Sequence, residues 1–76
     1  MTPEAIKSKI EWLLTKMGTE LAFDKAYKYQ NFDSLEFVEL ILMVEQEFKI
    51  SITDEEMADV KKMDDLVEVV ESKLSA

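Results

Sequence analysis

The hydroxyl of Ser34 is the group in this sequence best placed to be used chemically. It stands in Asp33-Ser34-Leu35-Glu36, where Asp33 and Glu36 have the spacing of a capping box, each side chain satisfying the other's backbone N–H. With Asp33 as the cap, Ser34 falls on the first helical position. There its side chain points outward, beside free N–H groups and the positive end of the helix dipole. Such a place suits a phosphate-linked attachment, because a helix N-terminus favours negative charge. Catalysis by the chain itself is a poorer fit. The sequence holds no His and no Cys, so the common nucleophilic triads and His/Cys zinc sites cannot be built. A single Gly rules out the Walker and dinucleotide glycine loops. The acidic run Thr53-Asp54-Glu55-Glu56 lacks the alternating Asp pattern and the Gly of an EF-hand loop, and reads as a helix start. Asp64-Asp65 reads as a pair of exposed cap residues. No catalytic residue and no metal site are expected.

The elements that must position Ser34 follow from apolar spacing. Seventy-six residues set an expectation of one domain spanning 1–76, with a small core and modest stability. Apolar residues make up 47% of the chain, enough to fold it without disulfides. Thr2 then Pro3 starts a first helix, with a capping hydroxyl and proline at the first helical position. Ile6, Ile10, Leu13, Leu14 and Met17 follow at helical spacing, and Gly18 ends it as a left-handed cap. Trp12 lies off that stripe and is expected to pack partly exposed. Residues 18–32 form a long connection with Leu21, Phe23, Tyr27, Tyr29 and Phe32 but no clean period. A short helical turn is expected around Leu21–Lys28, and the apolar residues should pack this loop on the core. Structureless connections of this length are uncommon and often functional.

The second helix should run from Asp33 to about Lys49. Phe37, Leu40, Ile41, Val44 and Phe48 form its core face. Leu35, Val38 and Leu42 form a second stripe on an adjacent face, flanked by Glu36, Glu39, Glu45 and Glu47. A protein this small can hardly bury both, so the second stripe is read as a contact surface. Thr53 with Glu56 makes another capping box and opens a short helix over about Asp54–Val60, with Met57 and Val60 as its apolar side. Asp64 is expected to cap a last helix in which Leu66, Val67, Val70 and Leu74 face inward and Lys73 complements the dipole. The fold class is therefore all-α: a four-helix bundle of long, long, short and medium helices with a long first loop.

Charge supports a partner-binding role. The net charge is −8, and it is uneven: residues 1–30 carry five Lys against four acids, residues 31–76 four Lys against thirteen acids. The part that opens at Ser34 should repel nucleic acid and anionic membrane and attract proteins with basic patches. The bland alternative is that the acids only keep the domain soluble. The N-terminus lacks the basic and apolar regions of a signal peptide, and no run approaches the ~20 apolar residues of a membrane span. A soluble, cytoplasmic monomer is expected, with no membrane insertion.

Over residues 31–74 the sequence resembles an acyl carrier protein. The likeness lies in Asp33-Ser34-Leu35-Glu36, Val38-Glu39-Leu40, Glu45-Gln46-Glu47-Phe48, Ile50-Ser51-Ile52-Thr53-Asp54-Glu55-Glu56 and Met63-Asp64-Asp65-Leu66-Val67. Asp-Ser-Leu alone is a weak motif; with the others at these spacings it is strong. The first helix and loop match in pattern only. The resemblance implies that Ser34 receives 4′-phosphopantetheine from coenzyme A through a holo-acyl-carrier-protein synthase or related phosphopantetheinyl transferase that brings its own Mg²⁺. The arm's thiol would then carry acyl groups as thioesters for acyl-transferring and condensing enzymes of fatty-acid, polyketide or specialised lipid biosynthesis. It also implies that Asp33, Leu35, Glu36, Val38, Glu39 and Leu42 dock partner enzymes with basic patches, with Glu45 and Met57 as further interface positions. The chain departs from the family where Gln30, Asn31 and Phe32 replace the usual Leu-Gly and a small or aliphatic residue. Asn tolerates the left-handed conformation that Gly would supply. Thr53 replaces the usual Pro before the acidic cluster. Phe37 replaces a usually smaller residue that in the family borders the acyl-chain cavity, which implies that less chain can be sequestered. Two other readings stand beside this one: a carrier of aminoacyl or peptidyl groups, and an unmodified acidic helical interaction module.

Overall fold

A computed structural model describes residues 1–75. Four α-helices follow in order: α1 Pro3–Lys16, α2 Ser34–Phe48, α3 Asp54–Asp59 and α4 Met63–Ser75. The lengths are 14, 15, 6 and 13 residues, the order of long and short helices that the apolar spacing implies. Among the described residues there is no β-strand beyond an isolated antiparallel bridge between Ala26 and Lys62.

Helix ends are set by local chemistry. Thr2 accepts the Ala5 N–H and Pro3 opens α1, while Gly18 takes a positive φ of 76° just beyond its end. Both capping boxes form in full, Asp33 with Glu36 and Thr53 with Glu56. Such a cap is worth about 1 kcal/mol. Lys49, at φ 56°, closes α2 in the left-handed conformation.

One core cluster joins the elements. Ile6, Ile10, Leu13 and Leu14 of α1 meet Leu40, Ile41 and Val44 of α2 and Met63, Leu66, Val67 and Val70 of α4. Each such side chain stabilises the fold by about 1.5–3 kcal/mol when fully buried. Phe48 and Met57 pack against its margin, and Val60 is buried. Trp12 stays half-exposed, with the ammonium groups of Lys9 and Lys16 within 5.1 and 4.4 Å of its ring centre.

Three expectations are corrected. The last helix begins at Met63, so Asp64 lies inside its first turn and does not cap it. Met63 is fully buried, and core packing draws it into the helix. The carboxylate that serves this end is that of Asp65, whose Oδ2 accepts the N–H groups of Lys61 and Lys62 at 3.0 and 3.2 Å. The helical turn in the long loop is a 3-10 turn at Tyr27–Tyr29, later than expected. Leu21 and Phe23 are buried anchors instead. Leu74 stays partly exposed at the end of α4, because the core stops at Val70.

The long loop is stitched to the start of α4 and the residues just before it. Tyr27 N–H donates to the Lys61 carbonyl at 3.0 Å, and Asp64 N–H to the Phe23 carbonyl at 3.0 Å. Two surface ion pairs tie neighbouring helices: Lys9 to Glu47 at 3.3 Å and Lys73 to Glu56 at 2.9 Å. Exposed pairs of this kind add little stability.

Candidate attachment site and docking face

Ser34 is the first residue of α2 and is exposed. Its neighbours are fixed by the capping box: Glu36 N–H donates to Asp33 Oδ1 at 2.8 Å, and Asp33 N–H donates to Glu36 Oε1 at 3.1 Å. Phe37 N–H closes the first turn on the Asp33 carbonyl at 3.0 Å. The backbone cap is thus supplied by Asp33, and the Ser34 hydroxyl is left for other use. This arrangement fits a pendant phosphodiester. The group would hang in water at the positive end of a 15-residue helix, while the two nearby carboxylates each spend an oxygen on a backbone N–H. Those carboxylates also make the place a poor pocket for a free anion, so a phosphate group there would need a covalent tether.

The chain reaches Ser34 through an ordered turn. Asn31 has φ 58°, the left-handed conformation expected of it in place of Gly. Phe32 is buried and anchors the residue pair before the cap. Gln30 clamps the loop behind it. Its Oε1 accepts the Ala22 N–H at 2.8 Å, and its Nε2 donates to the carbonyls of Ala22, Lys25 and Ala26 at 3.1, 3.1 and 3.3 Å. Sequence reasoning missed this clamp. A Gln in a loop names no partner, and its partners become neighbours only once the loop has folded. Tyr27 packs on the core as expected, but its ring partners were not foreseen. That ring stacks on Phe37 with centroids 4.6 Å apart and planes 5° from parallel, and meets Phe32 edge-on at 5.9 Å. Burial raises the Tyr27 phenol above its ordinary pKa.

Beside Ser34 the second stripe of α2 stands clear of the core. Leu35 is 79% exposed, Val38 44% and Leu42 55%. Asp33 and Glu39 are exposed, and Glu36 is half-buried through its part in the cap. These six lie on or beside one helix face. Glu45 is partly withdrawn: its Oε2 accepts the Ile52 N–H at 2.8 Å and straps α2 to the link before α3. Met57 of α3 is partly buried against the core. Among the described residues no three carboxylates gather as a metal site would require.

A family model described as the phosphopantetheine attachment site matches residues 20–70. This chain belongs to the acyl carrier protein family. Acyl carrier protein from Exiguobacterium sibiricum is 35% identical over 72 residues, which cover 93% of this chain and 86% of that protein. An acyl carrier protein homolog from Mycoplasmopsis pulmonis is 31% identical over 67 residues, covering 83% of this chain and 92% of its own length. The crystal structure of acyl carrier protein from Thermotoga maritima superposes with a TM-score of 0.83 at 28% identity, over 96% of this chain and 91% of that one. The protein is thus an acyl carrier, not an enzyme, and its prosthetic group is 4′-phosphopantetheine. As a family member it works with transferase and synthase enzymes. None of its described helices is long and apolar enough to cross a membrane.

Proposed function

We propose that Ser34 is the residue to which 4′-phosphopantetheine is joined, and that residues 1–76 act as one monomeric carrier domain in the cytoplasm. The carrying observation is the exposed hydroxyl on the first residue of α2, left free by a capping box that satisfies its neighbours. In the loading step, held in a transferase, the Ser34 oxygen attacks the phosphorus of coenzyme A that bears the pantetheine arm. An O–P bond forms, the pyrophosphate bond breaks, adenosine 3′,5′-bisphosphate leaves and the serine proton passes to a base of the transferase. The bound arm supplies the thiol that carries acyl groups as thioesters. The chain's own residues do the rest. Asp33 and Glu36 fix the helix start that displays the serine. Leu35, Val38 and Leu42 offer apolar contact to the partner, and Asp33, Glu36 and Glu39 draw its basic patch. Glu45 and Met57 stand at the edge of this surface, already partly engaged within the protein.

Incubation with coenzyme A and a broad-specificity phosphopantetheinyl transferase, read by intact mass, tests the assignment. The wild type should gain about 340 Da, the mass of one arm, and Ser34→Ala should gain nothing. An unchanged wild-type mass would favour the unmodified interaction module. Loading by acyl-activating but not aminoacyl-activating enzymes would separate the acyl carrier from an aminoacyl carrier.

A further inference from the structure

The interior of the bundle beside Ser34 is filled with aromatic rings. Phe32 lies two residues before the serine and Phe37 one helical turn after it, and both are buried, at 2% and 6% exposure. Tyr27 joins them, stacked face to face on Phe37 and edge-on to Phe32. The segment that carries Tyr27 is pinned on several sides. Its N–H is bonded to the Lys61 carbonyl, Ala26 bridges Lys62, and the Gln30 side chain holds the carbonyls of Lys25 and Ala26. Asn31, in its left-handed conformation, turns the chain so that Phe32 enters the core. The backbone that carries the tyrosine cannot move aside without breaking these bonds.

We infer that this trio closes the helical interior beneath the attachment residue to the cargo, so that this carrier serves acyl groups that stay outside its core, short or polar ones. The inference rests on Ser34 being the attachment residue. A long apolar chain tethered there would have to bury its methylenes against something. Entry beside the tether means displacing rings packed at interior density. A recess of about 450 Å³ exists elsewhere, lined in part by Leu14, Thr15, Leu21 and Phe23 with Glu11 and Glu20 at its walls. It belongs to the end of α1 and the start of the loop, and no residue of α2 lines it. The exposed Leu35, Val38 and Leu42 could shelter a long chain only by surrendering the surface offered to partners. A short or polar acyl group needs neither refuge.

The test loads the protein with butyryl- or palmitoyl-phosphopantetheine from the corresponding acyl-coenzyme A, with loading confirmed by intact mass. For the wild type, the two forms should melt within about 1 °C of each other, since a chain that makes no contacts inside the folded state adds no stability. Retention on a hydrophobic-interaction column should rise steeply with chain length, because the chain is exposed. In Phe37→Leu and Tyr27→Val, which end the stack while keeping apolar side chains, the palmitoyl form should melt above the butyryl form by about 4 °C or more. A wild type stabilised by palmitoyl, with column retention that hardly changes, would overturn the inference even if neither variant folds. Absence of any mass gain would overturn the attachment reading itself, and this inference with it.

Discussion

Replacing Gln30 by Ala tests whether the loop before Ser34 is held by one side chain. Gln30 makes a two-way pairing with the Ala22 backbone and shares its remaining donor capacity between the Lys25 and Ala26 carbonyls. A net hydrogen bond is worth about 0.5–1.5 kcal/mol, and these are partly open to water, so the lower half of that range applies. Two bonds to Ala22 and one shared donor then come to about 1.5–3 kcal/mol. In a chain of this size that lowers the melting midpoint by about 10 °C. Urea denaturation gives the free energy, and hydrogen exchange gives its location. The Ala22 amide should exchange faster in Gln30→Ala than in the wild type, while amides in the middle of α1 change only with global stability. Gln30→Glu keeps an acceptor for the Ala22 N–H but turns a carboxylate toward three carbonyls, so it should be at least as destabilising as the alanine. If Gln30→Ala stays within about 0.5 kcal/mol of the wild type and leaves Ala22 exchange unaltered, the clamp is an ornament and the loop is held by Leu21, Phe23 and Phe32 alone.

Other perturbations probe separate parts of the argument. Asn31→Val puts a β-branched residue at φ 58° and should cost about 1–2 kcal/mol in urea unfolding, whereas Asn31→Gly should be close to neutral; equal effects would mean that the left-handed turn is not what Asn31 supplies. Glu39→Lys should leave stability within about 0.5 kcal/mol while slowing transferase association and weakening its salt dependence, measured by stopped flow at two ionic strengths; an unchanged rate would remove Glu39 from the docking face. Glu56 is held below its ordinary pKa of 4.5, first by the Thr53 N–H and then by Lys73. Its folded form therefore favours the carboxylate. That contribution is complete above the ordinary value and is lost as pH falls below it, through the lowered one. Glu56→Gln should flatten the acid limb of the stability–pH profile, and an unaltered limb would show that the cap does not respond to protonation.

What could be foreseen from the chain divides by range. Thr2-Pro3, Asp33 with Glu36 and Thr53 with Glu56 act within one helical turn, so their patterns alone located three helix starts. The two stripes of α2 separated into buried and exposed residues as spacing implied, because one face of a helix in a small protein has nothing to pack against. The start of α4 was misplaced by two residues, since local preference put an aspartate at the cap and burial of Met63 outweighed it. The loop was least legible. Its conformation rests on Gln30 reaching back to Ala22 and on Tyr27 meeting Phe37, contacts that no periodic pattern encodes. At the site, Ser34 was found by its capping neighbours, whereas the rings packed around it became visible only in three dimensions.

Trp12, half-exposed between two ammonium groups, has a practical consequence. It is the protein's lone indole, and it is already wet in the native state. Its emission should begin near the red end and shift little on denaturation, so intrinsic fluorescence will be a dull witness to the melting of this chain. Circular dichroism of the helices, or absorbance of the partly buried Tyr27, will report the transition that the tryptophan barely registers.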